Sequence, residues 1–145
     1  MKDTDTILLA EDEDDAAFLL ERAIRKAGIV NPLQRVVDGD QTIEYLAGRG
    51  NYRDRARYPM PILLLLDINM PRKSGFEVLE WARSDAGLKA LTIDIFSGSS
   101  RAEDIERALR LGANLYLKKP VALGQMEELL KSYRQLSLSR GFAEA

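Results

Sequence analysis

Asp67 closes the apolar run Ile62-Leu63-Leu64-Leu65-Leu66 and is followed at once by Ile68-Asn69-Met70-Pro71-Arg72-Lys73-Ser74-Gly75. This is the pattern of a buried strand stopping on a carboxylate, with a sharply bent loop after it. Glu11-Asp12 follows Ile7-Leu8-Leu9-Ala10, Ser97 follows Ile95-Phe96, and Lys119 follows Leu115-Tyr116-Leu117-Lys118. In a parallel sheet, ligands collect at the carboxyl ends of the strands. Carboxylates, a hydroxyl and an amine at one such mouth suit a divalent cation and a phosphoryl group. Clustered carboxylates raise one another's pKa unless a cation neutralises them, and magnesium takes carboxylate, water and phosphate oxygens.

Each residue also has a plainer reading. Glu13, Asp14 and Asp15 continue the acidic run into a helix, where carboxylates favour the N-terminal dipole. Ser97 begins Ser97-Gly98-Ser99-Ser100, a turn or capping segment, although Ser99 or Ser100 can do that capping. Lys119 alone would be a surface charge, but the Pro120 after it restricts the turn that aims it.

The elements that must position these groups alternate along the chain. Strands are predicted at Ile7–Ala10, Leu33–Val37, Ile62–Leu66, Leu91–Phe96 and Leu115–Leu117. Between them, Ala16–Ala27 has helical spacing, with Phe18, Leu19, Leu20, Ala23, Ile24 and Ala27 inward and Gly28 as its stop. Asp38-Gly39-Asp40-Gln41 offers a turn and cap for a short helix through Ile43, Leu46 and Ala47 that ends at Gly48. A third helix carries Phe76, Val78, Leu79, Trp81 and Ala82. Ser100-Arg101-Ala102-Glu103 has the form of a capping box, opening a helix that uses Ile105, Ala108 and Leu109. The last helix is predicted over Leu123–Leu136, with Met126, Leu129, Leu130 and Tyr133 inward, and residues 137–145 form a loose tail. Five strands alternating with five helices predict a doubly wound α/β fold, a parallel sheet covered on both faces. Residues 1–136 form one domain.

The 145 residues carry 21 basic and 23 acidic side chains, a net charge of −2 that recommends neither nucleic acid nor an anionic membrane as a partner. No run is long enough to span a bilayer, and the polar start Met1–Thr6 lacks a signal-peptide pattern, so a cytoplasmic location is expected. The chain has neither histidine nor cysteine. That excludes a Ser-His-Asp triad, histidine-rich or thiolate zinc sites and a phosphohistidine carrier. Any metal must be held by oxygen, which favours magnesium, calcium or manganese.

Two features stand outside this scheme. Gly48–Pro61 is long for a loop, with Arg49, Arg53, Arg55 and Arg57 interleaved with Tyr52 and Tyr58. A solvated loop is the favoured reading, a docking surface for an acidic partner the other. Asp94 interrupts a strand that should be covered on both faces, so it must be paired, neutral or facing a crevice, or be a contact residue for docking or dimerisation.

Taken together, Ile7–Asp12, Leu66–Pro71 with Gly75, Phe96-Ser97 and Tyr116–Pro120 resemble the receiver domain of two-component response regulators, the fold of the bacterial chemotaxis regulator. The segments occur in the family's order and at its spacings, and the resemblance runs from about Thr6 to Leu136. It implies a flavodoxin-like sheet of strand order 2-1-3-4-5. It implies that Asp67 is the phosphoacceptor, and that Mg2+ (with Mn2+ or Ca2+ as alternatives) binds Asp12, Asp67 and the backbone carbonyl of Asn69, with Glu11 acting through water. Lys119 would pair with Asp67 and then with the phosphoryl oxygens. Ser97 would hydrogen-bond the phosphoryl group and draw its loop inward, and Tyr116 would be the aromatic switch. Serine stands at position 97 where threonine is commoner; the hydroxyl survives without the methyl that restricts its rotamer.

The implied function is that of a stand-alone response regulator, accepting a phosphoryl group from a sensor histidine kinase and switching a protein-binding face. It would have no enzymatic turnover beyond its own phosphorylation and dephosphorylation. The arginine-bearing segment resembles single-domain receivers that partner bacterial phytochromes, a subgroup in which homodimers form on the face of the fourth helix, fifth strand and fifth helix. A phosphorelay intermediate, a phosphate sink or an unphosphorylated pseudo-receiver are the alternatives. A haloacid dehalogenase-type phosphatase would need an aspartate where Asn69 stands and its nucleophile after the first strand. A flavodoxin-type cofactor binder would need a phosphate-cradling loop where Glu11–Asp15 stands.

Overall fold

A computed structural model describes residues 3–119 together with Leu129. The elements are β1 (Ile7–Ala10), α1 (Asp14–Lys26), β2 (Leu33–Val36), α2 (Gly39–Ala47), a 3-10 turn (Gly50–Tyr52), β3 (Leu63–Asp67), α3 (Gly75–Ser84), β4 (Thr92–Ser97), α4 (Ala102–Arg110) and β5 (Leu115–Lys118). All strand pairs are parallel, in the order β2-β1-β3-β4-β5. The predicted topology therefore holds, with α1–α4 as four of the five predicted helices. The fifth lies outside the described residues apart from Leu129, which is helical and buried.

Side chains alternate across the sheet and are buried on both faces, which is why its central strands read as unbroken apolar runs. Ile7, Leu9, Leu63, Leu65, Phe96 and Leu117 pack with Ala17, Leu20 and Ile24 of α1 and with Leu129. Leu8, Ala10, Leu64, Leu66, Ile93 and Ile95 pack with Tyr45 and Leu46 of α2, with α3, and with Ala108 of α4. No described helix is long and apolar enough to cross a membrane.

Several expectations are corrected. Phe18 and Leu19 are 61% and 56% exposed. The buried stripe of α1 is Ala17, Leu20 and Ile24, and successive helical positions turn by ~100°, which carries 18 and 19 away from it. Leu109 faces out for the same reason, beside buried Ala108. The capping box belongs to Ser74 and Glu77, which open α3 with reciprocal side-chain to backbone bonds of 3.3 and 3.1 Å. At α4 the N-cap is Arg101, with no side-chain cap, because Ser99 holds the entry instead.

The segment Gly48–Pro61 is packed rather than merely solvated. Tyr45, Tyr52 and Tyr58 contact one another with ring centroids 5.1–5.9 Å apart. Arg55 donates to the Tyr45 and Leu46 carbonyls at 2.8 and 2.9 Å, closing the C-terminal end of α2. Asp94 is fully buried and engaged on the α1 face of β4, opposite Leu65 and Leu115. Complete burial rules it out as a docking residue.

Candidate functional site

β1 and β3 are adjacent and end in register, Ala10 beside Leu66, so Glu11, Asp12 and Asp67 emerge side by side. One carboxylate oxygen from each lies within 4.8 Å of the others. Lys119, coming from the end of β5, places its Nζ between Glu11 Oε1 and Asp67 Oδ2, the latter at 3.0 Å. Asp67 is 3% exposed, and its Oδ1 accepts the Asn69 N–H at 3.2 Å. Glu11 is fully buried, and its Oε2 accepts the Glu13 N–H at 3.3 Å. Asp12 is half-buried at the rim.

Three acidic groups against one amine leave the pocket short of positive charge. Burial, and next the hydrogen bond with Glu11, raise Asp12 above the usual carboxylate value. Burial alone would lower the Lys119 amine, but its bonds to Glu11 and Asp67 outweigh that and raise it, so it stays protonated. The cluster offers only hard oxygen donors with an excess of negative charge, a fit for a divalent cation of the magnesium type. The described residues supply those donors from Asp12 and Asp67, with Glu11 held mainly by Lys119. Asn69 lies exposed in the loop just after Asp67.

That loop is fixed by close backbone contact. Gly75 donates to the Ile68 carbonyl at 2.8 Å, and a Cβ on Gly75 would lie 2.3 Å from the Asp67 carbonyl oxygen. Only glycine lets α3 begin so near the strand end. Arg72 adopts a left-handed backbone, φ 70°. Its Nε lies 3.4 Å from Asp38 Oδ2, while Asp38 Oδ1 caps α2 through the Gln41 N–H at 2.7 Å. The start of α2 is thereby tied to the loop behind Asp67.

On the other side, Ser97 is fully buried at the end of β4, and its carbonyl accepts the Lys119 N–H at 2.7 Å. Its Oγ accepts the Ser99 N–H at 3.2 Å, which leaves the hydroxyl proton to donate. Ser99 Oγ donates to Asp104 Oδ2 at 2.6 Å and accepts the Arg101 N–H at 3.2 Å, and the Ser99 carbonyl accepts the Tyr116 hydroxyl at 2.9 Å. Ser97 and Tyr116 are thus linked through one residue. The structure brings together Glu11, Asp12, Asp67 and Lys119 directly, and Ser97 with Tyr116 through this loop. The sequence reading did not single out Asp104 as Ser99's partner; the signal was a carboxylate in the first turn of α4.

The response regulator receiver domain pattern matches residues 7–131. The response regulator Rcp1 of Synechocystis sp. is 31% identical over 78% of this chain and 75% of its own length. Among solved structures, response regulator RPA3017 in red light signaling of R. palustris superposes with a TM-score of 0.79 at 36% identity, covering 89% of this chain and 90% of that one. The phosphorylated cyanobacterial phytochrome response regulator RcpA does so at 0.77 and 31%, covering 94% and 96%.

Proposed function

The chain belongs to the response regulator receiver domain family, and from this we propose that Asp67 accepts the phosphoryl group, with Lys119 and Ser97 as its partners. The family takes up phosphoryl groups in two-component signalling and binds Mg2+ or Mn2+ at an acidic pocket. The observation that carries the assignment is the bridging of Asp67 and Glu11 by Lys119 at the mouth of the sheet.

Asp67 attacks phosphorus with a carboxylate oxygen, forming the O–P bond as the bond from phosphorus to the donor nitrogen breaks. A carboxylate nucleophile carries no proton to lose on attack, so no base is needed. Lys119 keeps its proton and shifts from carboxylate oxygen to phosphoryl oxygen, offsetting charge where it develops. Asp12 and Asp67, with the Asn69 carbonyl and Glu11 behind them, would hold Mg2+, which supplies further neutralisation of the transferring group. Ser97 donates its free hydroxyl proton to a phosphoryl oxygen. Because Ser97 Oγ and Tyr116 both bond Ser99, that movement reaches the exposed side of α4 and β5, a two-state rearrangement driven by a new phosphate.

The donor is a sensor histidine kinase, and similarity to regulators of red-light and phytochrome signalling points to a bacteriophytochrome. Exposed Phe18 and Leu19, in the second turn of α1 beside the acidic loop, offer that kinase an apolar landing. Exposed Leu109 suits a homodimer on the α4–β5 face. The protein acts in the cytoplasm and turns over no other substrate.

The test is intact mass after incubation with Mg2+ and acetyl phosphate. The parent gains a phosphoryl adduct that base removes, and Asp67→Asn gains none. An adduct on both, or a base-stable one, sinks the assignment.

A further inference from the structure

The edge strand β2 contributes none of the groups named so far, yet one of its side chains reaches the site. Arg35 donates from Nε to the Glu11 carbonyl at 3.0 Å and from Nη1 to Asp14 Oδ1 at 2.8 Å. These two acceptors bracket Asp12. The Glu11 N–H is bound by the Val36 carbonyl at 3.0 Å. Both polar groups of the Glu11 backbone therefore end on β2, while its side chain ends on Lys119 and on the Glu13 N–H.

The geometry points to Arg35 as the positioning residue for metal binding: through Nε it holds the peptide before Asp12, and so aims Asp12 into the pocket. The inference rests on the reading of Asp12 and Asp67 as the metal-binding pair. Among the described residues the side-chain donor to the Glu11 carbonyl is Arg35, so without Arg35 the loop would turn to satisfy that carbonyl elsewhere. Arg35 Nη2 is buried with no acceptor among the described residues. A guanidinium there only for solubility would turn that donor to water; here the other two contacts outweigh its loss. Arg35 also pairs with the Asp14 side chain, which is 91% exposed, while Glu11 and Asp12 face the pocket.

The test separates positioning from simple charge by sign. A cation removed from beside an acidic pocket should tighten divalent binding by Coulomb's law, whereas loss of aim should weaken it. Mg2+ and Mn2+ affinities are measured by calorimetry on the full chain for the parent, Arg35→Gln, Arg35→Lys and Asp14→Asn, each first shown folded by thermal melting. The expected result is about tenfold weaker binding in Arg35→Gln, in the range seen for residues that orient metal ligands. Arg35→Lys keeps the charge but not the fork, and should also weaken it. Asp14→Asn, which leaves the Glu11 contact, should change little. In phosphorylation by acetyl phosphate, the Mg2+ needed for half-maximal rate rises in Arg35→Gln while the rate at saturating Mg2+ stays at the parent's. Unchanged or tighter binding in Arg35→Gln, or parent-like binding in Arg35→Lys, overturns the inference. Failure of the parent to bind either metal overturns the reading of the site, and the inference with it.

Discussion

At the amino ends of the strands, positive charge meets backbone. Arg83, at the end of α3, donates to the Gly112 carbonyl at 2.9 Å, the Leu91 carbonyl at 2.7 Å and Asn114 Oδ1 at 3.0 Å, and reaches the Leu88 and Lys89 carbonyls at 3.2 Å. Arg25 ties α1 to the approach of β2 through the Ile29 and Asn31 carbonyls at 2.9 and 2.8 Å. Arg55 does the same between α2 and the approach of β3. At the carboxyl ends, Lys119 faces Glu11 and Asp67 with Asp12 beside them. The partners at the first end are fixed dipoles of helix ends and loops, which neither titrate nor leave. Those at the second are three acidic side chains against one amine, an imbalance that a divalent cation can offset. One end holds the fold so that the other can stay electrostatically unsettled.

Arg83→Met should break the contrast most. It strands several carbonyls at once and should cost about 3 kcal/mol in urea unfolding, while the folded fraction is phosphorylated at the parent's rate. Loss of reactivity at full folding would mean that the two ends are coupled.

Asp12→Asn sharpens it, because the expected sign is opposite. Asp12 is raised above its ordinary value of 3.8, first by burial and then by Glu11. The folded state holds that proton more tightly than the unfolded chain, so stability falls as pH rises through the raised value. In the absence of metal, the substitution should stabilise the protein at neutral pH, read as a higher melting temperature. The gain should vanish in acid below 3.8. A destabilised variant at neutral pH would show the pocket to be balanced after all.

The smallest effect belongs to Arg72→Gly, in the loop that joins the site to α2. Relief of the left-handed backbone is worth about 1 kcal/mol, and loss of the half-exposed ion pair with Asp38 returns about half of that. A net gain of ~0.5 kcal/mol is expected by thermal melting. A net loss would mean that the link to α2 outweighs the strain.

What the sequence determined is set by short-range rules. An apolar run must end where the sheet ends, so Asp67, Glu11, Asp12, Ser97 and Lys119 could be placed at strand ends from the runs before them. Gly48 and the Asp38 cap follow from local backbone and side-chain chemistry, as the αL conformation of Gly48 and the bond from Gln41 show. The two Ser-x-x-Glu segments mark the limit. Ser74–Glu77 forms the box and Ser100–Glu103 does not, because Ser99 is drawn to Asp104 and Tyr116, the latter from another strand. The burial of Leu20 over Phe18 and Leu19 depended on how α1 rolls against the sheet, and an almost continuous apolar segment leaves that angle open. The roles of Arg35, Arg55 and Arg83 were decided by tertiary structure alone. Their acceptors are mostly backbone carbonyls, which every residue carries, so no residue type in the sequence marks where a long guanidinium side chain will find them.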